Sequence, residues 1–190
     1  MIMQPTIRLA EHRDIQALEA LMEESVMVLQ AEDYSETQRR GALGTVFGVD
    51  SQLIEDKTYF IAEAEGMPVG CGGWSRRKTL FGGDAIAGKD DQELAPAHDA
   101  ARIRAFFVKP GWTRRGIGGR ILQACEMAAL AAGFKRFELV ATLTGVALYK
   151  AYGYQMCERY ETPLPNGLAL PVVRMMKAAD AIAPRKKFST

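Results

Sequence analysis

The chain has few cysteines and histidines, almost no net charge, and no long uninterrupted apolar run. Each shortage removes a class of function. Its three cysteines, Cys71, Cys125 and Cys157, show no C-x-x-C spacing, and its two histidines, His12 and His98, stand alone. No metal-ligand pattern and no Cys-His nucleophile pair results, so neither metal chemistry nor thiol catalysis is expected, and the cysteines read as buried thiols. A formal net charge of +1 gives no broad field to attract nucleic acid or a membrane surface; only a local basic cluster at Arg114, Arg115 and Arg120 remains. The opening Met1-Ile-Met-Gln-Pro5 lacks the charged start, apolar middle and small-residue cleavage site of an export signal, so a cytoplasmic location is expected. Internal repeats and low-complexity segments are missing too.

What is present is enough for one compact domain. With 48% hydrophobic residues in 190, the chain can bury a full core, and the expected organisation is a single domain over residues 1–178 with a basic tail over 179–190. The most informative stretch is Val108-Lys-Pro-Gly-Trp-Thr-Arg-Arg-Gly-Ile-Gly-Gly-Arg120. Before it, Arg102-Ile-Arg-Ala-Phe-Phe-Val108 alternates as a strand, with Ile103, Ala105 and Phe107 on one face and Arg102, Arg104 and Phe106 on the other. Beyond it, Ile117, Ile121, Leu122, Cys125, Ala128, Ala129 and Ala132 recur at helical spacing, and Gly133 is placed to end that helix.

A strand running through glycines into a helix makes an anion site. Gly116, Gly118 and Gly119 let backbone N–H groups approach a ligand, the helix start is partially positive, and Arg114 and Arg115 add full charges. A nucleotide-triphosphatase loop would end in Gly-Lys-Ser/Thr, whereas Gly118 is followed by Gly119-Arg120; a dinucleotide fingerprint would need G-x-G-x-x-G, which Gly116-Ile-Gly118 does not continue. Coenzyme A is the third option.

In these residues the chain resembles the GNAT N-acetyltransferase superfamily, whose pyrophosphate loop reads Gln/Arg-x-x-Gly-x-Gly/Ala between the fourth strand and a long helix. The match is Thr113-Arg-Arg-Gly-Ile-Gly118, with Thr113 where the family carries Gln or Arg. A second block, Leu148-Tyr149 through Gly153-Tyr154, is similar to the family's Leu-Tyr-x-x-x-Gly-Phe/Tyr signature, and Thr142 is nearest to the Asn that often heads this helix. The resemblance covers Thr6 to Lys177. It implies an α/β fold with a mixed, mostly antiparallel sheet flanked by helices, and acetyl-CoA in a V-shaped gap between the fourth and fifth strands. The pantetheine arm would pair with the strand edge from Phe106 to Val108, and Thr113 to Arg120, including Ile117, would line the diphosphate.

The implied reaction is direct attack of a primary amine, carried by a small molecule or a protein, on the thioester carbonyl. It needs a neutral nitrogen, an oxyanion site near the N–H groups of Phe107 and Val108, and an acid for the departing thiolate. Tyr149 is the candidate acid, because an ordinary phenol stays protonated at neutral pH. The candidate bases are Asp99, just before the fourth strand, and Glu63, on a neighbouring hairpin. Arg102 and Arg104 would favour an acceptor bearing carboxylate or phosphate if they face the acceptor side, or would pair with Glu138 otherwise. Trp74, Tyr59 and Phe81 are candidate pocket walls. The alternative function is a catalytically silent acyl-CoA-binding sensor; a nicotinamide- or nucleotide-binding enzyme ranks behind both. A homodimer is left open.

Elsewhere, Thr6-Ile-Arg-Leu-Ala10 reads as a strand, Asp14 caps a helix through Val26, and Ser35 with Gln38 forms a capping box. Strands at Thr58–Glu63 and Met67–Trp74 join through Glu65-Gly66, and Met156–Thr162 with Leu168–Lys177 form a hairpin around Pro165-Asn-Gly167. The segment from Ser75 to Asp99 is a long polar loop that either shapes an acceptor pocket or hangs in solvent.

Overall fold

The structure, a computed structural model, describes residues 4–179. The tail expected over 179–190 therefore lies outside the described residues but for Ala179. Seven strands form one sheet: β1 (Thr6–Leu9), β2 (Tyr59–Ala64), β3 (Met67–Ser75), β4 (Ala101–Val108), β5 (Arg136–Thr142), β6 (Gln155–Pro163) and β7 (Ala169–Ala178). Their order is β1-β2-β3-β4-β5-β7-β6, and every neighbouring pair is antiparallel except β4 with β5. This is the mixed, mostly antiparallel sheet expected of the chain. Among the described residues, no helix is long and apolar enough to cross a membrane.

Helices cover both faces. On one lie α1 (Ile15–Leu29), α2 (Glu36–Ala42) and α3 (Ser51–Glu55); on the other lies α4 (Ile117–Ala131), followed by the short α5 (Val146–Ala151). Leu18, Met22 and Val26 of α1 pack with Ile61, Leu170 and Val172 of the sheet, while Ile117, Ile121 and Leu122 of α4 pack with Ile103, Leu139 and Met175. Alternation along each strand feeds these two cores separately. Fully burying each leucine-sized side chain contributes about 1.5–3 kcal/mol.

Local chemistry sets the ends of the elements. Ser35 Oγ accepts the Gln38 N–H at 3.2 Å while Gln38 Oε1 accepts the Ser35 N–H at 3.0 Å, so the capping box is closed in both directions. Asp14 sits in a single 3-10 turn (His12–Asp14) ahead of α1 and is held by Arg8, at 2.7 Å. The helix α3 has no counterpart in the sequence reading; it is five residues long, too short for a periodic pattern, and Asp50 caps it by accepting the Gln52 N–H at 3.2 Å. Glu65 and Gly66 both have positive φ, 52° and 76°, as a tight two-residue hairpin turn requires. Gly133, at φ 94°, ends α4 with its N–H on Leu130 O and the next N–H, of Phe134, on Ala129 O.

The long polar segment is built against the body. Lys78 N–H bonds Gln92 O at 3.0 Å and Thr79 N–H bonds Asp90 O at 3.1 Å, which folds the loop into a two-legged arm. Arg77 grips Asp56 through Nε at 2.8 Å and Nη2 at 2.9 Å, and the N–H groups of Gly83 and Asp84 bond Thr45 O and Val49 O. Gly83 is required there, because a Cβ would lie 2.8 Å from the Gly48 backbone. The arm is a wall.

Candidate active site

The site arises from a local failure of strand pairing. β4 and β5 are paired only over Ala101–Ile103 and Phe137–Leu139, beyond which they diverge, while β4 remains joined to β3 as far as Val108. The β5-facing backbone edge of β4 therefore has no strand partner after Ile103. Within β4, Gly73 opposes Arg104 and Cys71 opposes Phe107, so Ala105 and Phe106 together face Gly72. This is a β-bulge, with Ala105 at φ 56°. Gly72 makes room for it: a Cβ there would come within 2.7 Å of the Phe106 ring.

The bulge corrects the simple alternation expected of this strand. Ile103 packs with the α4 core and Phe107 with the α1 core, so the two lie on opposite faces, and Ala105 and Phe106 divide in the same way. The extra residue inverts the pleat after Arg104. Consequently the cleft opened by the divergence is lined from both cores. Phe106, Val108, Gly118, Leu148 and Tyr149 stand on the α4 side, and Gln30, Phe47, Phe81, Arg104, Thr142, Thr162 and Val172 on the α1 side.

At the α4 mouth lies the glycine loop. Gly116 takes φ 77° as the residue before the helix, and the first intrahelical bond runs from the Arg120 N–H to Gly116 O at 3.0 Å. The N–H groups of Ile117, Gly118 and Gly119 are thus left without an intrahelical partner at the positive end of a 15-residue helix. Arg114 and Arg115 are exposed beside it, and Arg115 stacks over Trp112, 4.7 Å from the ring centroid; Thr113 is half-buried. Two of the glycines also serve packing. A Cβ on Gly118 would meet Leu148 at 3.1 Å, and one on Gly119 would meet the Tyr152 hydroxyl at 1.8 Å, so these positions let α5 approach α4.

Tyr149 is buried between two rings, edge-on to Phe106 at 6.1 Å and to Tyr154 at 5.8 Å. Burial, reinforced by nearby Cys125, pushes its phenol well above the ordinary tyrosine value. Thr142, at the end of β5, accepts the Gly145 N–H through Oγ1 at 3.2 Å and so opens the turn into α5.

Of the charged candidates, Arg104 alone lines the cleft. Its Nη2 bonds Asp50 Oδ2 at 2.8 Å and Gly82 O at 2.7 Å, and Lys89 Nζ takes the other Asp50 oxygen at 2.7 Å. Burial pulls the guanidinium below its ordinary value, opposed by Asp50. Arg102 is placed elsewhere: it lies opposite Glu138 in the β4–β5 register and pairs with that carboxylate, which Arg174 also grips. Trp74 is likewise not a wall residue; it packs edge-on to Phe134 in the α4 core, because β3 is central and buried on both faces. Tyr59 is fully buried, its hydroxyl bonding Ala105 O at 3.2 Å beneath the bulge. Phe81 does line the cleft.

Neither carboxylate candidate reaches it. Asp99 precedes β4, at the end away from the divergence, and accepts the Ala95 N–H at 2.7 Å. Glu63 is held by Arg8 at 2.7 Å near the sheet edge, two strands from β4. Three lining residues that the sequence reading passed over are Gln30, Phe47 and Thr162. Gln30 directly follows α1 and Thr162 lies on the outer strand β6, and only the folded packing brings them to the cleft.

Known proteins share this architecture. A GCN5-related N-acetyltransferase structure from Rhodopseudomonas palustris aligns with TM-score 0.68 at 22% identity, over 94% of this chain and 98% of its own. The PaiA N-acetyltransferase from Thermoplasma acidophilum, in complex with coenzyme A, aligns with TM-score 0.62 at 17% identity, over 93% and 99%. A phosphinothricin acetyltransferase from Sinorhizobium meliloti, in complex with acetyl-CoA, aligns with TM-score 0.61 at 18% identity, over 97% and 95%. At such identities the likeness establishes the fold. No curated protein matches the sequence significantly. The family model described as Acetyltransferase (GNAT) domain matches residues 55–156, more than half of the chain, spanning β2 to the start of β6 with the bulged strand, the glycine loop and the Tyr149 block inside it; the chain belongs to the GNAT acetyltransferase family.

Proposed function

We propose that the protein transfers the acetyl group of acetyl-CoA to a primary amine by direct attack on the thioester. The observation that carries this reading is the cleft through the β4–β5 divergence, which joins an anion-binding mouth on one face of the sheet to a partly polar chamber on the other. Family membership supports acyl transfer, and two similar structures hold coenzyme A or acetyl-CoA. The residues fit that group: the unpartnered N–H groups of Ile117, Gly118 and Gly119 with Arg114 and Arg115 suit a diphosphate, and the open edge from Phe106 to Val108 suits an extended amide arm. When bound, it supplies an activated acyl thioester.

The chain's own residues do the rest. The Val108 N–H, on the open edge of β4, stabilises charge on the carbonyl oxygen, the Phe107 N–H being turned to Cys71 of β3, and Tyr149 donates its proton to the departing sulfur. Burial keeps that phenol protonated. Among the described residues lining the cleft there is no carboxylate, so the amine enters neutral; the proton it sheds on forming the amide leaves through solvent, from which Tyr149 regains the proton it gave to sulfur. A chamber walled by Phe47, Phe81 and Val172 favours a small-molecule amine over a protein terminus.

Two measurements on the full chain test the reading: calorimetric titration with acetyl-CoA, and thiol release from acetyl-CoA across a panel of primary amines. Binding with amine-dependent thiol release is expected. Binding without release on any amine would make the chain an acyl-CoA sensor, and no binding would remove the cofactor assignment.

A further inference from the structure

Three polar side-chain atoms on the α1 side of the cleft are buried and have no hydrogen-bond partner: Arg104 Nε, Gln30 Oε1 and Thr162 Oγ1. Their residues are only 5%, 5% and 6% exposed. Buried polar groups are normally satisfied, and leaving one unpaired is destabilising, so three around one cleft indicate a site built for a polar guest. The only other unpartnered buried atoms among the described residues, on Arg39, Trp74 and Arg76, belong to residues outside the cleft lining.

The charges choose the guest. Arg104 and Lys89 share the buried carboxylate of Asp50, and Lys89 also lies 3.6 Å from the more exposed Asp84, so the two cations meet two carboxylates and the cluster holds no large surplus of positive charge. A single guanidinium donor in so nearly balanced a cluster suits a monoanion rather than a phosphate dianion. The Nη2 atom of Arg104 is committed to Asp50 and Gly82 O, so Nε is the unpartnered donor on the β4 wall. Gln30 and Thr162 stand on the wall made by α1 and the β6–β7 hairpin.

We infer that the acceptor is a small carboxylate-bearing amine, in its simplest form an α-amino acid with a polar side chain. Its carboxylate sits on Arg104 Nε, which keeps the adjacent amine on the β4 wall where the strand edge is open. The polar end of its side chain reaches Gln30 and Thr162. This deepens the acetyl-transfer reading above and rests on it.

The test measures acetyl-CoA thiol release with L-glutamine, L-methionine and L-phenylalanine, each beside its α-carboxamide. The amides have the more neutral amines and so start with a chemical advantage. The expected result is the reverse: the free acids lead in kcat/KM by roughly 10- to 100-fold, the weight of a charged hydrogen bond. Thr162→Val supplies an independent readout that a structural role would not move. It removes an unpartnered hydroxyl, so the melting temperature holds or rises while KM for glutamine increases and KM for methionine does not. Amides accepted as well as the acids, or a Thr162→Val enzyme unchanged toward glutamine, would overturn the inference. If acetyl-CoA binds and none of these amines releases thiol, the inference fails for this class while the cofactor site stands; if acetyl-CoA does not bind, the acetyl-transfer reading falls first.

Discussion

The hydroxyl of Tyr152 occupies the space where Gly119 would carry a side chain: a Cβ at that position would lie 1.8 Å from the phenolic oxygen. A glycine beside an anion-binding loop is thus also the floor on which α5 rests. Gly119→Ala is expected to destabilise the fold by about 1–3 kcal/mol, the usual effect of overpacking, and to weaken acetyl-CoA binding by displacing the loop. Adding Tyr152→Ala should restore most of both. Denaturant unfolding and calorimetry decide it; a double variant that regains stability but not affinity would mean that the glycine serves the ligand directly.

Tyr149→Phe keeps the ring between Phe106 and Tyr154 and removes only the acid. Turnover is expected to fall by about 100-fold or more, with acetyl-CoA affinity nearly unchanged. Because burial raises the phenol above its ordinary value, the parent enzyme should show no loss of rate from tyrosine ionisation up to about pH 10. A rate decline below that pH that disappears in the phenylalanine variant would contradict the placement.

Behind Tyr149 lies a buried ion pair. Lys177 Nζ bonds both oxygens of Glu126, at 2.9 and 2.8 Å, and the Tyr154 hydroxyl donates to Oε1 at 2.9 Å. Lys177→Met strands the carboxylate and should destabilise the protein by about 3–5 kcal/mol. Combining it with Glu126→Gln, which still accepts from Tyr154, should return most of that loss. Urea unfolding of the single and double variants provides the check.

Acid should loosen two surface anchors together. Arg8 holds the Asp14 carboxyl, and Arg77 the Asp56 carboxyl, below the ordinary carboxylate value. A depressed folded-state pKa means that the stabilisation is complete above the unfolded value of about 3.9 and is lost as pH falls through the folded one. Asp56→Asn should therefore be less stable than the parent at pH 7 and converge with it at low pH. A gap between their unfolding midpoints that persists at pH 2 would remove the Arg77 pair as its cause.

Much of this was legible before folding. Periodicity located every strand and the long helices, and the glycines with Arg114 and Arg115 marked the anion mouth. The bulge was not legible, because Ala105 carries no mark of a left-handed backbone, as a glycine or asparagine there would have done. Simple alternation without it puts Phe107 on the face of Ile103. The Arg102–Glu138 pair was one of two readings the strand pattern allowed, and adjacency in the parallel register selected it. Arg104, by contrast, finds Asp50 at the cap of a helix too short to show periodicity. Gln30 and Thr162 look like ordinary surface residues until α1 and β6 converge on one cleft, and the long loop could be recognised as a wall only through its bonds to Asp56, Thr45 and Val49.

The three paired positions between β4 and β5 also divide the chain by sequence. Every strand on the β4 side of that seam comes from the segment ending at Val108, and every strand beyond it from the segment starting at Arg136, so the polypeptide crosses from one half-sheet to the other once, through the turn from Lys109 to Gly116 and the helix it starts. A molecule whose anionic end orders that turn and whose other end lies between the strands touches both halves at once. Its binding should therefore be read as slowed amide exchange in both half-sheets, on strands it does not touch as well as on the two it does.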